Sequence, residues 1–377
     1  MAARLEGASQ KGRFMKILVT GGAGYIGSHT CVQLLQRGDQ VSILDNFSNS
    51  SQLAIDRLSE LAGRRPDVYE ADLCDAQAVE QIVSTVQPDA VIHFAGLKAV
   101  GESNSIPLHY YHNNLTGTFY LLQAMQKNNC KQLVFSSSAT VYGDPERIPI
   151  DEACRIGATN PYGQTKVMIE QILHDLSKTD PEFRLCCLRY FNPVGAHPSG
   201  LIGEDPNGIP NNLVPYIAQV AVGRRDALPV FGTDYDTPDG TGVRDYLHVE
   251  DLAAGHSAAL DRLHDLDPWC AINLGTGQGY SVREMVAAFS KACGKEIATR
   301  DEPRRPGDIA TCYAKTDRAR ELLQWSATRN LQDMCDDHWR WQHQNPQGYR
   351  SDSKTDPKVD LQNSAPSASA ATTADSH

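Results

Sequence analysis

The first apolar run of the chain, Lys16-Ile17-Leu18-Val19-Thr20, leads directly into Gly21-Gly22-Ala23-Gly24-Tyr25-Ile26-Gly27, and no other stretch constrains the fold as much. A short continuous run of that kind reads as a buried parallel strand. Glycines at 21, 24 and 27 permit a tight turn, let a backbone approach a pyrophosphate, and allow a following helix to press against the strand. From Ser28 to Arg37 the pattern is that of an amphipathic helix, whose first N–H groups suit phosphate oxygens. A second strand, Val41-Ser42-Ile43-Leu44, ends in Asp45. A carboxylate at that distance holds a ribose 2′-hydroxyl and repels a 2′-phosphate, so the expected dinucleotide is NAD rather than NADP.

Two later segments carry chemistry. Ser136-Ser137-Ser138-Ala139-Thr140-Val141-Tyr142-Gly143 and Pro161-Tyr162-Gly163-Gln164-Thr165-Lys166 supply a hydroxyl, a phenol and an ammonium. A phenol has a reference pKa of ~10, and bringing it to neutrality takes about 4 kcal/mol. On a helix Lys166 lies one turn beyond Tyr162 on the same face, where its charge favours the phenolate. Such a pair can take and return the proton of a substrate hydroxyl.

At 377 residues the chain has room for two domains, or for one large domain with a lobe. Its formal charge of −11 argues against nucleic acid or an anionic membrane as partner, since both would repel it. No uninterrupted apolar stretch reaches bilayer-spanning length. Residues 1–14 lack the apolar core of a secretory signal and read as an unstructured extension, with the fold starting at Met15-Lys16. Ten cysteines occur without a C-x-x-C pair, as expected for a protein of the reducing cytoplasm.

Apolar strands alternate with helical patterns up to about residue 190. Ala90–Phe94, Gln132–Ser136 and Arg184–Tyr190 read as strands; Ala76–Val86, Asn113–Asn128 and Tyr162–Ser177 read as helices. That alternation predicts an α/β fold with a doubly wound parallel sheet, its ligands beyond the carboxyl ends of the strands. From Pro193 to Gly242, frequent Gly and Pro mark a loop-rich lobe. The Ser-, Ala- and Thr-rich tail from Ser351 reads as unstructured.

Beyond these patterns, particular words in the chain resemble the extended short-chain dehydrogenase/reductase family. They are Gly21–Thr30, His93–Ser103, Ser136–Gly143, Pro161–Lys166, Leu188–Gly200, Ile209–Gln219 and Asp239–Val249, spread over roughly residues 15–348. The resemblance implies a Rossmann-type NAD-binding domain over 15–191 and a smaller mixed α/β substrate-binding lobe mainly over 192–348. Some segments of that lobe would return to the first domain, and a tail would occupy 349–377. It also implies inversion at C4 of a UDP-hexose, interconverting UDP-glucose and UDP-galactose through a 4-keto sugar, with tightly held NAD.

In the family's pattern Tyr162 is the general base, Lys166 stabilises its phenolate beside the nicotinamide ribose, and Ser138 bonds the reacting oxygen. Cofactor contacts fall on Gly21, Gly24, Tyr25, Ile26 and Gly27, on Asp45, Asn46 and Asn49, and on Asp72 and Leu73. They continue through Phe94, Ala95, Gly96, Leu97 and Lys98 to Asn113 and Phe191. Substrate contacts fall on Asn192, Asn212, Leu213, Phe231 and Tyr246, with Arg244 and Arg305 clamping the diphosphate and Asp308 on the uridine ribose. Arg304 reads as a solvated neighbour. Relatives confined to the smaller sugar pair tend to carry Tyr where this chain has Cys312, so the pocket is expected to admit UDP-GlcNAc and UDP-GalNAc as well. The resemblance further implies a homodimer packed through the helices starting near Asn113 and Tyr162.

Two other activities fit the same frame. A nucleotide-sugar 4,6-dehydratase needs an Asp-Glu pair after Ser138, where Ala139 and Thr140 stand. A non-catalytic NAD-sensing protein commonly lacks the Tyr/Lys pair that is intact here.

Overall fold

The structure is a computed structural model and describes residues 14–305 and 307–350. Both expected unstructured extensions lie outside those residues apart from Phe14, Tyr349 and Arg350. Tyr349 does not belong to a loose tail: its amide donates to Asp205 Oδ2 at 2.8 Å and its ring packs on Trp341.

Six parallel strands follow one another with helices between: β1 (Lys16–Thr20), β2 (Gln40–Asp45), β3 (Asp67–Glu70), β4 (Ala90–His93), β5 (Gln132–Ser138) and β6 (Arg184–Tyr190). The strand Trp269–Leu274 then joins beside β6, so the sheet reads β3-β2-β1-β4-β5-β6 and then that strand. This is the Rossmann order with one strand added, and its switch point falls between β1 and β4. Ile17, Val19, Ile43, Ile92 and Val134 fill one face of the sheet, and Leu18, Leu44, Val91, Leu133 and Phe135 the other. The period-2 alternation of a strand places the two sets on opposite sides. Full burial on both faces explains the near-continuous apolar runs seen in the sequence.

The helix after β1 spans Tyr25–Gln36 rather than starting at Ser28. Gly24 is its N-cap, and Gly27 lies inside its first turn, where the lack of a side chain lets helix and turn touch. The helix expected from Asn113 is divided into a π-helical turn, His112–Thr116, and the α-helix Gly117–Lys127. Such π turns concentrate at functional sites.

Past β6 the chain builds a smaller lobe from the helices Leu213–Ala221, Val282–Cys293 and Leu331–Gln344 around Val214, Ile217, Met285 and Phe289. Residue 191 is not a clean boundary. Trp269–Leu274 returns to the main sheet, and Leu252, Ala259 and Leu260 of the helix Val249–Arg262 pack into the core that also holds Val32 and Leu35. No described helix is long and apolar enough to cross a membrane. All ten cysteines are free.

Candidate active site

The glycine turn leaves no room for side chains. A Cβ on Gly21, whose φ is +69°, would lie 2.7 Å from Ala95 N, and one on Gly27 would lie 2.3 Å from Gly21 O. The helix it opens has no side-chain cap, so its first amides face the turn. Asp45, at the end of β2, accepts from Ala23 N at 3.0 Å, Phe47 N at 2.9 Å and Ser50 Oγ at 2.9 Å. A carboxylate offers about four acceptor positions, so these bonds leave capacity for a hydroxyl. Asn46 Nδ2 donates to Asp72 Oδ2 at 2.9 Å, and the Cys74 amide holds the Asp72 carboxyl below its usual pKa. Leu73 packs against Gly117. Asn49 sits exposed in the turn beyond Asn46.

Phe94 to Lys98 leave the end of β4 across the switch point from the glycines. Asn114, next to Asn113 in the π turn, holds this segment. Its Oδ1 accepts from Leu97 N at 2.8 Å, and its Nδ2 donates to Leu97 O at 3.1 Å and to Thr165 Oγ1 at 3.0 Å. Asn114 thus ties the cofactor-side loop to the helix bearing Tyr162. Nothing in the sequence distinguished it from Asn113, because the π turn that rotates it inward leaves no periodic signature. His93 is a second unanticipated tie, lying between Thr20 Oγ1 at 2.7 Å and Thr118 Oγ1 at 3.0 Å. Burial pulls its pKa down to about 3, so it stays neutral.

Ser138, Tyr162 and Lys166 converge where β5 ends. The helix Pro161–Thr179 starts there because Asn160 caps it, accepting from Gly163 N at 2.8 Å, and Pro161 occupies its first position. Ser138 caps the short turn Ala139–Tyr142, accepting from Thr140 N at 3.2 Å and Thr140 Oγ1 at 3.0 Å. Those two bonds use the Ser138 lone pairs and leave its own proton available to donate. Burial pushes the Tyr162 phenol up, and the hydrogen bond with Ser138 opposes it. Lys166 Nζ donates to Ser136 O at 2.8 Å and lies 5.8 Å from the centre of the Tyr162 ring. Burial brings Lys166 down to about 8. One of the three ammonium protons is engaged with Ser136, and the others remain for an oxygen in the cleft.

The lobe presents the other candidates on neighbouring strands and loops. Arg244 lies in Val243–Arg244, which pairs with Thr311–Cys312 and so places Arg244 beside Cys312. Arg244 Nη2 is 3.6 Å from Asp308 Oδ1. Arg305 stacks its guanidinium 3.9 Å from the centre of the Phe231 ring. Arg304 pairs with Asp234 and stacks on Tyr235, which gives it surface work of its own. Phe191 and Cys312 belong to one apolar cluster with Tyr142, and burial raises the Cys312 thiol to about 11. Tyr246 is buried, and Asn192 receives its strand pairing from the same residue. Asn212 occupies the N-cap position of the Leu213 helix without a side-chain cap bond, and its Nδ2 donates instead to Glu204 Oε1 at 3.0 Å. Lys98, expected among the cofactor contacts, also reaches Glu204 Oε1, at 3.4 Å. Glu204 is therefore a buried acid shared by the two sides of the site, and the sequence offered no signal for it beyond one carboxylate in a loop.

Comparison with known proteins gives the family. Residues 17–275 match the family described as NAD dependent epimerase/dehydratase. The chain belongs to that family. The UDP-glucose 4-epimerase of Bacillus subtilis (strain 168) is 62% identical over 337 residues, covering 89% of this chain and 99% of its own length. The epimerase/dehydratase fold also aligns with a solved UDP-glucose 4-epimerase from Bifidobacterium longum in complex with NAD+ and UDP. That alignment has a TM-score of 0.85 and 51% identity, over 88% of this chain and 99% of the other. The UDP-Glc/GlcNAc 4-epimerase of Campylobacter jejuni aligns with a TM-score of 0.77 and 38% identity, over 87% and 99%.

Proposed function

We propose that this chain interconverts UDP-glucose and UDP-galactose by inverting C4 through a transient 4-keto sugar, with NAD as its retained cofactor. The observation that carries the reading is the meeting of Ser138, Tyr162 and Lys166 beside the glycine turn. The residues fit the dinucleotide. Gly21 and Gly27 leave backbone where a Cβ would intrude, Asp45 stands at the end of β2, and the loop from Phe94 to Lys98 is held across the switch point by Asn114.

When bound, NAD would supply the hydride acceptor and donor that oxidation and re-reduction at C4 require. Tyr162 takes the proton of the C4 hydroxyl and later gives it back. Ser138 donates to the oxygen it faces and keeps the phenol oriented. Lys166 supplies the positive charge that a phenolate needs in a buried site. Arg244 and Arg305 hold the diphosphate, while Asp308 accepts from the uridine ribose. Firm nucleotide anchoring leaves the hexose free to turn its other face between the two transfers. Incubation of the purified protein with UDP-galactose, followed by chromatography, is expected to give UDP-glucose with no net NADH. Recovery of UDP-galactose alone would end this reading.

Cys312 supports a wider sugar pocket, because a thiol stands where a phenol would fill space beside Phe191. Cys312→Tyr is expected to lower UDP-GlcNAc turnover on the order of 10²-fold while largely sparing UDP-galactose, measured as kcat/KM for both substrates. We also assign a homodimer. Val100, Leu108, Phe119 and Met168 are exposed on helices of the cofactor domain and Ile106 between two of them, Leu108 by 82%. Single exposed apolar residues are ordinary, whereas a contiguous group marks an interface. Sedimentation velocity of Leu108→Glu should show monomer where the unaltered protein shows dimer.

A further inference from the structure

Beneath the reactive groups lies a buried ion pair that the proposed reaction does not use. Glu170 stands one turn beyond Lys166 on the helix Pro161–Thr179. Its Oε1 accepts from Ser137 Oγ at 2.5 Å and Arg189 Nε at 3.0 Å, and its Oε2 accepts from Arg189 Nη2 at 2.5 Å. Arg189 Nη1 continues to the Tyr142 hydroxyl at 3.0 Å, which donates to Asn273 Oδ1 at 2.7 Å. Glu170 is 5% exposed and Arg189 3%. These bonds join the catalytic helix, the end of β5, the end of β6, the turn after Ser138 and the last sheet strand. A buried ion pair is a weak source of stability, and apolar groups of equal volume often serve as well. Its location gives it another role.

We propose that Glu170, held by Arg189, is a positioning residue: it fixes the catalytic helix against the strand end bearing Ser138 and keeps Lys166 in its charged form. The inference rests on the epimerase reading above. Ser137, which Glu170 grips, directly precedes Ser138, so loosening one moves the other. The groups facing Lys166 are Tyr162 and Glu170 from its own helix, Cys187 from β6, His93 from β4, and the Ser136 carbonyl and Phe135 ring from β5, with Tyr190 of β6 bonded to the Ser136 hydroxyl. Burial holds Cys187 and Tyr190 protonated and His93 neutral. Glu170 is then the one facing carboxylate among the described residues that offsets the desolvation of the ammonium. Arg189 holds that carboxylate in place through Nε and Nη2.

Lys166 must carry its proton to hold a phenolate, so activity falls as pH rises through its pKa. Glu170→Gln keeps an acceptor for Ser137 and removes the charge. In the NAD-loaded enzyme the alkaline limb of kcat should move down by about one pH unit, with KM for UDP-galactose changed less than about twofold. Because Gln strands the Arg189 charge, the double variant Glu170→Met/Arg189→Met is measured beside it, and it should fold and show a smaller downward movement of the limb. A folded variant with an unmoved alkaline limb overturns the inference. So does a double variant that cannot fold, since the pair would then be a structural requirement. Unaltered enzyme that leaves UDP-galactose unchanged overturns the functional reading instead.

Discussion

Tyr162→Phe is expected to lower kcat for UDP-galactose by about 10²–10⁴-fold, the usual contribution of a positioned acid–base group. The KM should change little, because in the proposed reading the diphosphate and uridine contacts lie in the lobe and the phenol acts only on the C4 hydroxyl. The substitution removes one oxygen from a residue that is 8% exposed and leaves the ring in place, so the melting temperature should stay close to that of the parent. Steady-state kinetics at saturating and limiting substrate, with thermal denaturation of the same preparation, measure both. A variant retaining more than about a tenth of the parent kcat would remove Tyr162 from the proton path.

Gly27→Ala is the second large effect, and it acts on the cradle. Its new Cβ would meet Gly21 O at 2.3 Å and Gly22 Cα at 2.8 Å, both backbone atoms. Neither can move without shifting the turn against β1, so a destabilisation of about 1–3 kcal/mol is expected. NAD should be lost on gel filtration, because the displaced turn no longer presents its amides to the pyrophosphate. Quantifying bound NAD after acid release checks this, and full retention would contradict the close-packing argument.

The fold was legible wherever a strand is buried on both faces. The boundaries of Lys16–Thr20, Arg184–Tyr190 and the helix Ala76–Val86 coincide with the observed elements, because continuous apolar runs bound the strands and the structure shows Asp75 capping the helix at Gln77 N and Ala78 N. The helix start at Tyr25 was hidden because glycines read as turn, although here one of them lies in the first helical turn. The return of Trp269–Leu274 to the sheet depends on pairing with β6, a contact between distant parts of the chain that periodicity does not encode. Ser138, Tyr162 and Lys166 were readable because they share one segment end and one helix face. Glu204 and Asn114 were not, since their significance comes from what other loops bring to them.

The carboxylate of Asp45 faces two ways, toward the expected ribose and back to the amide of Ala23 in the glycine turn. An engineer exchanging it for a small neutral residue to admit a phosphorylated dinucleotide would also unpin the turn that must cradle that molecule. Selectivity and affinity are mechanically joined at this one side chain. Switching coenzyme preference therefore calls for a replacement tether to Ala23 together with the new charge.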